Sequence, residues 1–128
     1  MRILILLLIL AFPHSTIAAG SSGSSPYFEI QTPFVVNLAD SDQLIFLQVN
    51  AQLKMKNEAL KDYLYAHLPA IQHTVMLVLS EQIAKDIKTV AGKQRLRDKT
   101  LKEIQDLLTI QIGDAAIDDI YFTSFIVQ

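Results

Sequence analysis

The chain has 128 residues, 51% of them hydrophobic and 19% charged, with no Cys and no Trp. That length holds one domain. The absence of Cys excludes a disulfide scaffold, a Cys-ligated zinc, a thiol nucleophile and a lipid-modified N-terminal Cys. Eleven basic against 13 acidic residues leave a formal charge of -2, without the basic footprint of a nucleic-acid binder.

Met1 and Arg2 precede an unbroken apolar run over residues 3–12, followed by Pro13, His14, Ser15 and small residues up to Gly20. A short positive end, a short apolar core and a small-residue exit read as a secretory signal peptide over residues 1–19. A spanning helix needs about 20 apolar residues, and Pro13 and His14 interrupt this run early. A short uncleaved anchor reaching Ala19 is the competing reading. Residues 20–26, GSSGSSP, form a flexible linker, and the folded domain is expected over residues 27–128.

Residues 27–38, YFEIQTPFVVNL, are aromatic and β-branched and predict a strand. Pro33 cannot donate to a ladder, which places this strand on an edge or breaks it there. Residues 39–42 are a polar turn. Residues 43–56 carry the cleanest pattern in the chain. Ile45, Leu47, Val49, Ala51, Leu53 and Met55 alternate with Gln48, Asn50, Gln52, Lys54 and Lys56. Period two over this length is a long strand with one buried face, antiparallel to the first.

Asn57 is placed to cap a short helix over residues 58–67, with Leu60, Leu64 and Leu68 on one face. Pro69 ends it and opens the main helix, expected over residues 70–88. There Ile71, Val75, Val78, Leu79, Ile83 and Ile87 share an arc that Met76 and Leu77 widen, which predicts a well-buried helix. Gly92 closes the connection. A third helix spans residues 93–109, with Leu96, Ile104, Leu107 and Leu108 inward. Gly113 and Asp114 turn the chain into a closing strand over residues 119–128. Together these elements predict an α+β fold: a mainly antiparallel three-stranded sheet with helices packed on one face.

No catalytic, cofactor-binding or metal-ligating set emerges. His67 and His73 are separated by Pro69 and share no helix face. There is no nucleophile elbow and no phosphate-cradling glycine loop. Asp114, Asp118 and Asp119 form an acidic group whose bland reading is a solvated turn; an EF-hand loop would need alternating ligands and a distal Glu. Arg97 falls inside the apolar arc of the third helix, so it needs a partner. An internal bridge to a carboxylate and an interface arginine are the two readings. The strand aromatics Tyr27, Phe28, Phe34, Tyr121, Phe122 and Phe125 read as core and sheet-face packing.

Several of these features occur in a familiar order. PFVVNL at residues 33–38 precedes the long alternating strand. Leu68-Pro69-Ala70-Ile71 opens the main helix. Gly92-Lys93 stands ahead of Leu96-Arg97, and YFTSFIVQ closes the chain at residues 121–128. This order resembles the periplasmic domain of the flagellar basal body-associated FliL family. The resemblance implies a bacterial periplasmic domain similar to the stomatin core. It implies a non-enzymatic accessory protein of the flagellar motor that associates with stator units, forms homo-oligomeric rings at the inner membrane and supports motility and torque. Many family members have a membrane-spanning helix, and carry Arg-Asp where this chain has Gln72-His73. The alternative is a soluble periplasmic binding or adaptor module of the same fold acting outside the motor. Neither reading involves nucleic acid, a small-molecule substrate or a cofactor.

Overall fold

The computed structural model describes residues 24–39 and 43–128. The signal segment, most of the linker and the tip of the first turn lie outside the described residues. The elements run β1 (Tyr27–Asn37), β2 (Phe46–Met55), a 3-10 turn (Glu58–Leu60), α1 (Lys61–Ala66), α2 (Leu68–Ser80), α3 (Ala84–Ile87), α4 (Val90–Ile112) and β3 (Ile117–Val127). The strands form one antiparallel sheet in the order β1-β2-β3. Helices cover one face of it: α2 lies against β1, α4 against β3, and the two pack on each other. This is the α+β architecture that the patterning predicts.

β2 carries the core. Leu47, Val49, Ala51, Leu53 and Met55 are all buried, whereas the intervening Gln48, Asn50, Gln52 and Lys54 are half-buried on the other face. β1 contributes Phe28, Ile30, Phe34 and Val36, and β3 contributes Ile117 and Ile120. Pro33 lies in an irregularity of the β1–β2 register: Ile30 pairs with Ala51 and Phe34 with Val49, so Gln31, Thr32 and Pro33 face Asn50 alone. An edge strand with a bulge is where a residue lacking an N–H is tolerated. The fold takes hold at Pro26, whose carbonyl accepts the Met55 N–H at 2.8 Å.

The main helix is shorter than expected. α2 ends at Ser80, and residues 84–87 form the separate α3. The Ser80 hydroxyl donates to the Leu77 carbonyl at 2.9 Å and the Gln82 amide to the Val78 carbonyl at 2.8 Å. Polar side chains that satisfy the last carbonyls of a helix compete with its continuation. The Gln82 carbonyl in turn accepts the Ala39 N–H at 2.9 Å, which ties the helix end to the loop after β1. Ile83 is then extended. The buried stripe of α2 is confined to Ile71, Val75, Val78 and Leu79. Met76, Leu77 and Ile83, expected inside, are exposed, because one sheet face and one helix cover only a stripe of α2. Asn57 precedes the 3-10 turn without a side-chain capping bond.

Gly92 is not a connector. α4 begins at Val90 behind the cap Thr89, whose hydroxyl accepts the Gly92 N–H at 2.9 Å. The Asp86 carbonyl sits directly over Gly92, so an added Cβ would fall 1.7 Å from its oxygen. Only Gly allows α3 and α4 to approach this closely. At the other end Gly113 takes a left-handed conformation, φ 76°, and terminates the helix. Gly92→Ala must push two backbones apart, and should cost about 2–3 kcal/mol, at the upper end for overpacking. Urea denaturation of variant and parent measures this; equal midpoints would refute the close approach.

Candidate functional site

The residues singled out in the sequence do not converge on a reaction centre. His73 is exposed on α2 and His67 is half-buried at the α1–α2 junction. Asp114 and Asp119 are engaged by different cations, Lys56 and Arg97. Among the described residues no group of three or more His, Asp or Glu is placed to share a metal ion.

Asp114 is the hinge of the turn into β3. Its carboxylate accepts the Ala116 N–H at 2.7 Å and approaches Lys56 Nζ at 3.4 Å. Ala116 has φ 62°, a left-handed conformation that costs a non-glycine residue energy, and the Asp114 bond holds it there. The Ala116 N–H, and after it Lys56, hold the Asp114 carboxyl below its ordinary value. The ionised form therefore stabilises the fold above the unfolded pKa of about 3.9, and this contribution is lost as pH falls through the lower folded value. Asp114→Asn should flatten the stability profile between about pH 5 and pH 2. Denaturant midpoints taken across that range check it; an unchanged acid limb would count against the assignment.

Arg97 resolves as an internal bridge. Nε donates to the Ile120 carbonyl at 2.9 Å, and the guanidinium pairs with the Asp119 carboxylate and lies 5.5 Å from the Tyr121 ring centroid. β3 is an edge strand, and the Ile120 carbonyl points away from β2. Farther along α4, Gln105 Nε2 donates to the Ile117 carbonyl at 2.9 Å. Two α4 side chains thus occupy outward carbonyls on the first half of the β3 edge.

The second half of that edge is different. Phe46 and Gln128 exchange both backbone bonds, at 2.7 and 2.9 Å. By the antiparallel alternation, Ser124 and Ile126 also face β2, while Phe125 and Val127 turn their N–H and C=O outward. Beside this stretch α4 presents Val90, Lys93, Gln94 and Arg97, spaced i, i+3, i+4 and i+7 and so on one helix face. With Tyr121, Phe122 and Phe125 they line an apolar groove of about 320 Å³. The Phe122 and Phe125 rings lie 5.9 Å apart, and Lys93 Nζ is 5.1 Å from the Phe125 centroid. Sequence patterning misses this groove because its helix stripe is three-quarters polar and two of its strand residues, Phe122 and Phe125, belong to the same face as the core. The aromatics otherwise divide as expected. Phe28 and Phe34 are in the core, Phe28 edge-on to Tyr65 at 4.7 Å, and Tyr27 meets Tyr121 at 5.9 Å on the uncovered face.

This domain coincides with a known one. Residues 27–128 match the model of the flagellar basal body-associated protein FliL family. The chain belongs to the FliL family. It is 25% identical over 101 residues to a flagellar protein FliL of Aquifex aeolicus, covering 79% of this chain and 60% of that protein. To a flagellar protein FliL of Escherichia coli strain K12 it is 28% identical over 104 residues, covering 81% of this chain and 66% of that protein. The chain thus spans a little under two thirds of each relative's length. Among the described residues no helix is long and apolar enough to cross a membrane.

In this FliL domain the Arg97 clasp holds α4 to the sheet edge. Arg97→Ala strips a charged donor from Ile120 and Asp119 and should cost about 1.5–3 kcal/mol. Arg97→Lys should recover only part, since an ammonium cannot span the two acceptors as a planar fork does. Denaturant titration of both variants decides; two unaffected proteins would mean that the clasp contributes nothing.

Proposed function

We propose that this domain is a non-enzymatic accessory of the bacterial flagellar motor, acting in the periplasm, associating with stator units and supporting motility. The observation that carries the reading is the family match, which spans every strand and helix of the described residues. The geometry agrees with it. Among the described residues the surface offers a sheet face without a helix over it, a strand edge without a further strand and an apolar groove, which are features of docking. In this reading residues 1–19 are a signal peptide, residues 20–26 a linker and residues 27–128 the acting domain, which self-associates into rings at the inner membrane.

An adaptor role outside the motor is the second reading. Its support is local: Gln72 and the exposed His73 occupy the α2 positions where many family members carry Arg-Asp, so a partner recognised there would meet different chemistry. Deletion and complementation in the native flagellated host separate the two. The motor reading expects reduced swimming or swarming with flagella still assembled, restored by the intact gene. Normal motility on both soft and hard agar would overturn it. Intact-mass measurement on the periplasmic fraction of the same strain tests the layout, which expects a chain beginning at Ala19 or Gly20; full-length chain held in the membrane fraction would replace cleavage with anchoring.

A further inference from the structure

We propose that the open half of the β3 edge, with the groove beside it, binds an extended segment of another protein as a fourth strand, and that the segment carries a carboxylate next to an apolar side chain. The inference rests on the reading of the domain as a docking module and names the chemistry of what docks.

Three observations converge on this stretch. The first is backbone supply. Phe125 and Val127 direct N–H and C=O away from β2, and Phe122 does so too, because the ladder beyond the Thr123 bulge keeps the parity that points the Ile120 carbonyl outward. No strand lies beyond β3 among the described residues, and the α4 side chains that occupy this edge stop at Ile120. A free edge of this kind is a template for strand addition.

The second observation is the pocket for alternate side chains. Phe122, Phe125 and Val127 are outward residues whose side chains lie on the helix-covered face, opposite Ala51, Val49 and Leu47. A strand added beside them would direct every second side chain toward the same layer, into the groove under Val90, Lys93 and Gln94. Val90 is 87% exposed although it lines an apolar groove. A side chain entering from an added strand would cover it.

Charge is the third. Arg97 is neutralised by Asp119, but Lys93 forms no ion pair among the described residues, and its ammonium lies over the Phe125 ring at the mouth of the groove. A carboxylate two residues from the apolar side chain on the incoming strand would share its face and meet Lys93.

A second copy of this chain fits less well. Among the described residues it exposes two strand edges: β1 is interrupted by the bulge at residues 31–33 and by Pro33, which has no N–H, and the open half of β3, residues 122–128, carries no Asp or Glu to meet Lys93. The β1 carboxylate, Glu29, pairs in register with Gln52 and so projects from the uncovered face, away from Lys93. The occupant is therefore a separate polypeptide.

The test uses the full chain, 15N-labelled, and capped heptapeptides built on Thr-Val-Thr-Glu-Thr-Val-Thr, which places Val, Glu and Val on one face of a strand. Saturable amide shifts are expected at Phe122, Phe125 and Val127. The same peptide with Lys in place of Glu should bind about two- to fivefold more weakly, the range of an exposed ion pair. Lys93→Glu, a change at an exposed position, should reverse that preference while leaving shifts elsewhere unchanged. N-methylation of the backbone amides on one edge of the peptide at a time should abolish binding for one of the two edges. Shifts confined to α2 or the uncovered face, equal binding of the Glu and Lys peptides, or binding unaffected by methylation of either edge would each overturn the proposal. So would concentration-dependent shifts of the three amides without peptide, which would make the occupant a second copy. A chain that restores motility yet binds no peptide sinks the groove and leaves the motor role standing. Binding without any motility phenotype does the reverse.

Discussion

The structure hangs on the pleat of β2. Leu47, Val49, Ala51, Leu53 and Met55 are each 3% exposed or less, and among the described residues β2 is the one strand with a neighbour on both sides. A slip of one residue would exchange this set for Gln48, Asn50, Gln52 and Lys54, so the register is specified by burial. Everything irregular is displaced to the neighbours. β1 carries extra residues at 31–33, and β3 carries one extra residue at Thr123 and another at Asp118. The central strand is the straight reference, and the edges bend to suit the helices.

Those bends prepare the edge of β3. Without the bulge at Asp118, Ile117 and Ile120 would have opposite parity, and only one could face outward. With it, both side chains enter the core and both carbonyls point away from β2. They are three residues apart, about 10 Å along a strand. Arg97 and Gln105 are eight residues apart, about 12 Å along a helix. The two spacings match closely enough for α4 to reach both carbonyls, and the exposed edge is blunted without a further strand. α4 does not repeat this toward its N-terminus. There the corresponding face carries Val90, Lys93 and Gln94, and these line a groove beside Phe122 and Phe125 rather than filling it.

Much of this was legible in residue order. The alternation of β2, the edge placement of Pro33, the three-stranded sheet and the need of Arg97 for a partner all follow from periodicity and from the cost of an unpaired buried charge. What escaped depends on tertiary contacts. The end of α2 at Ser80 rests on side chains of Ser80 and Gln82 turning back to carbonyls and on Ala39 reaching the Gln82 carbonyl. No local propensity shows that distant N–H. Gly92 reads as closing a connection because close backbone approach leaves no pattern in one sequence; its reason is a carbonyl six residues away. Met76 and Leu77 read as core because hydrophobicity alone does not reveal how many layers cover a helix. The groove was invisible for the same cause. Lys93 and Gln94 are ordinary surface residues until β3 is seen to lie beside them.

The two uncovered regions of the sheet are not independent. Ile126 belongs to the same short stretch of β3 as Phe125 and Val127, but it projects from the opposite face. There it shares a cross-strand row with Gln48 and Val35, beside Phe46. Val35, Phe46 and Ile126 are all more than 40% exposed. A strand paired to this stretch would continue both faces at once, placing one set of side chains in the groove and the other beside the exposed Ile126. Recognition built this way reads an alternating segment on two sides, while the backbone bonds supply affinity that does not depend on sequence. The sealed half of the edge then matters as much as the open half. With Ile117 and Ile120 already engaged by α4, an incoming strand can pair only with residues 122–127. Arg97 and Gln105 thereby set where such a strand must stop, and a stop of that kind fixes register on an edge that would otherwise permit a strand to slide.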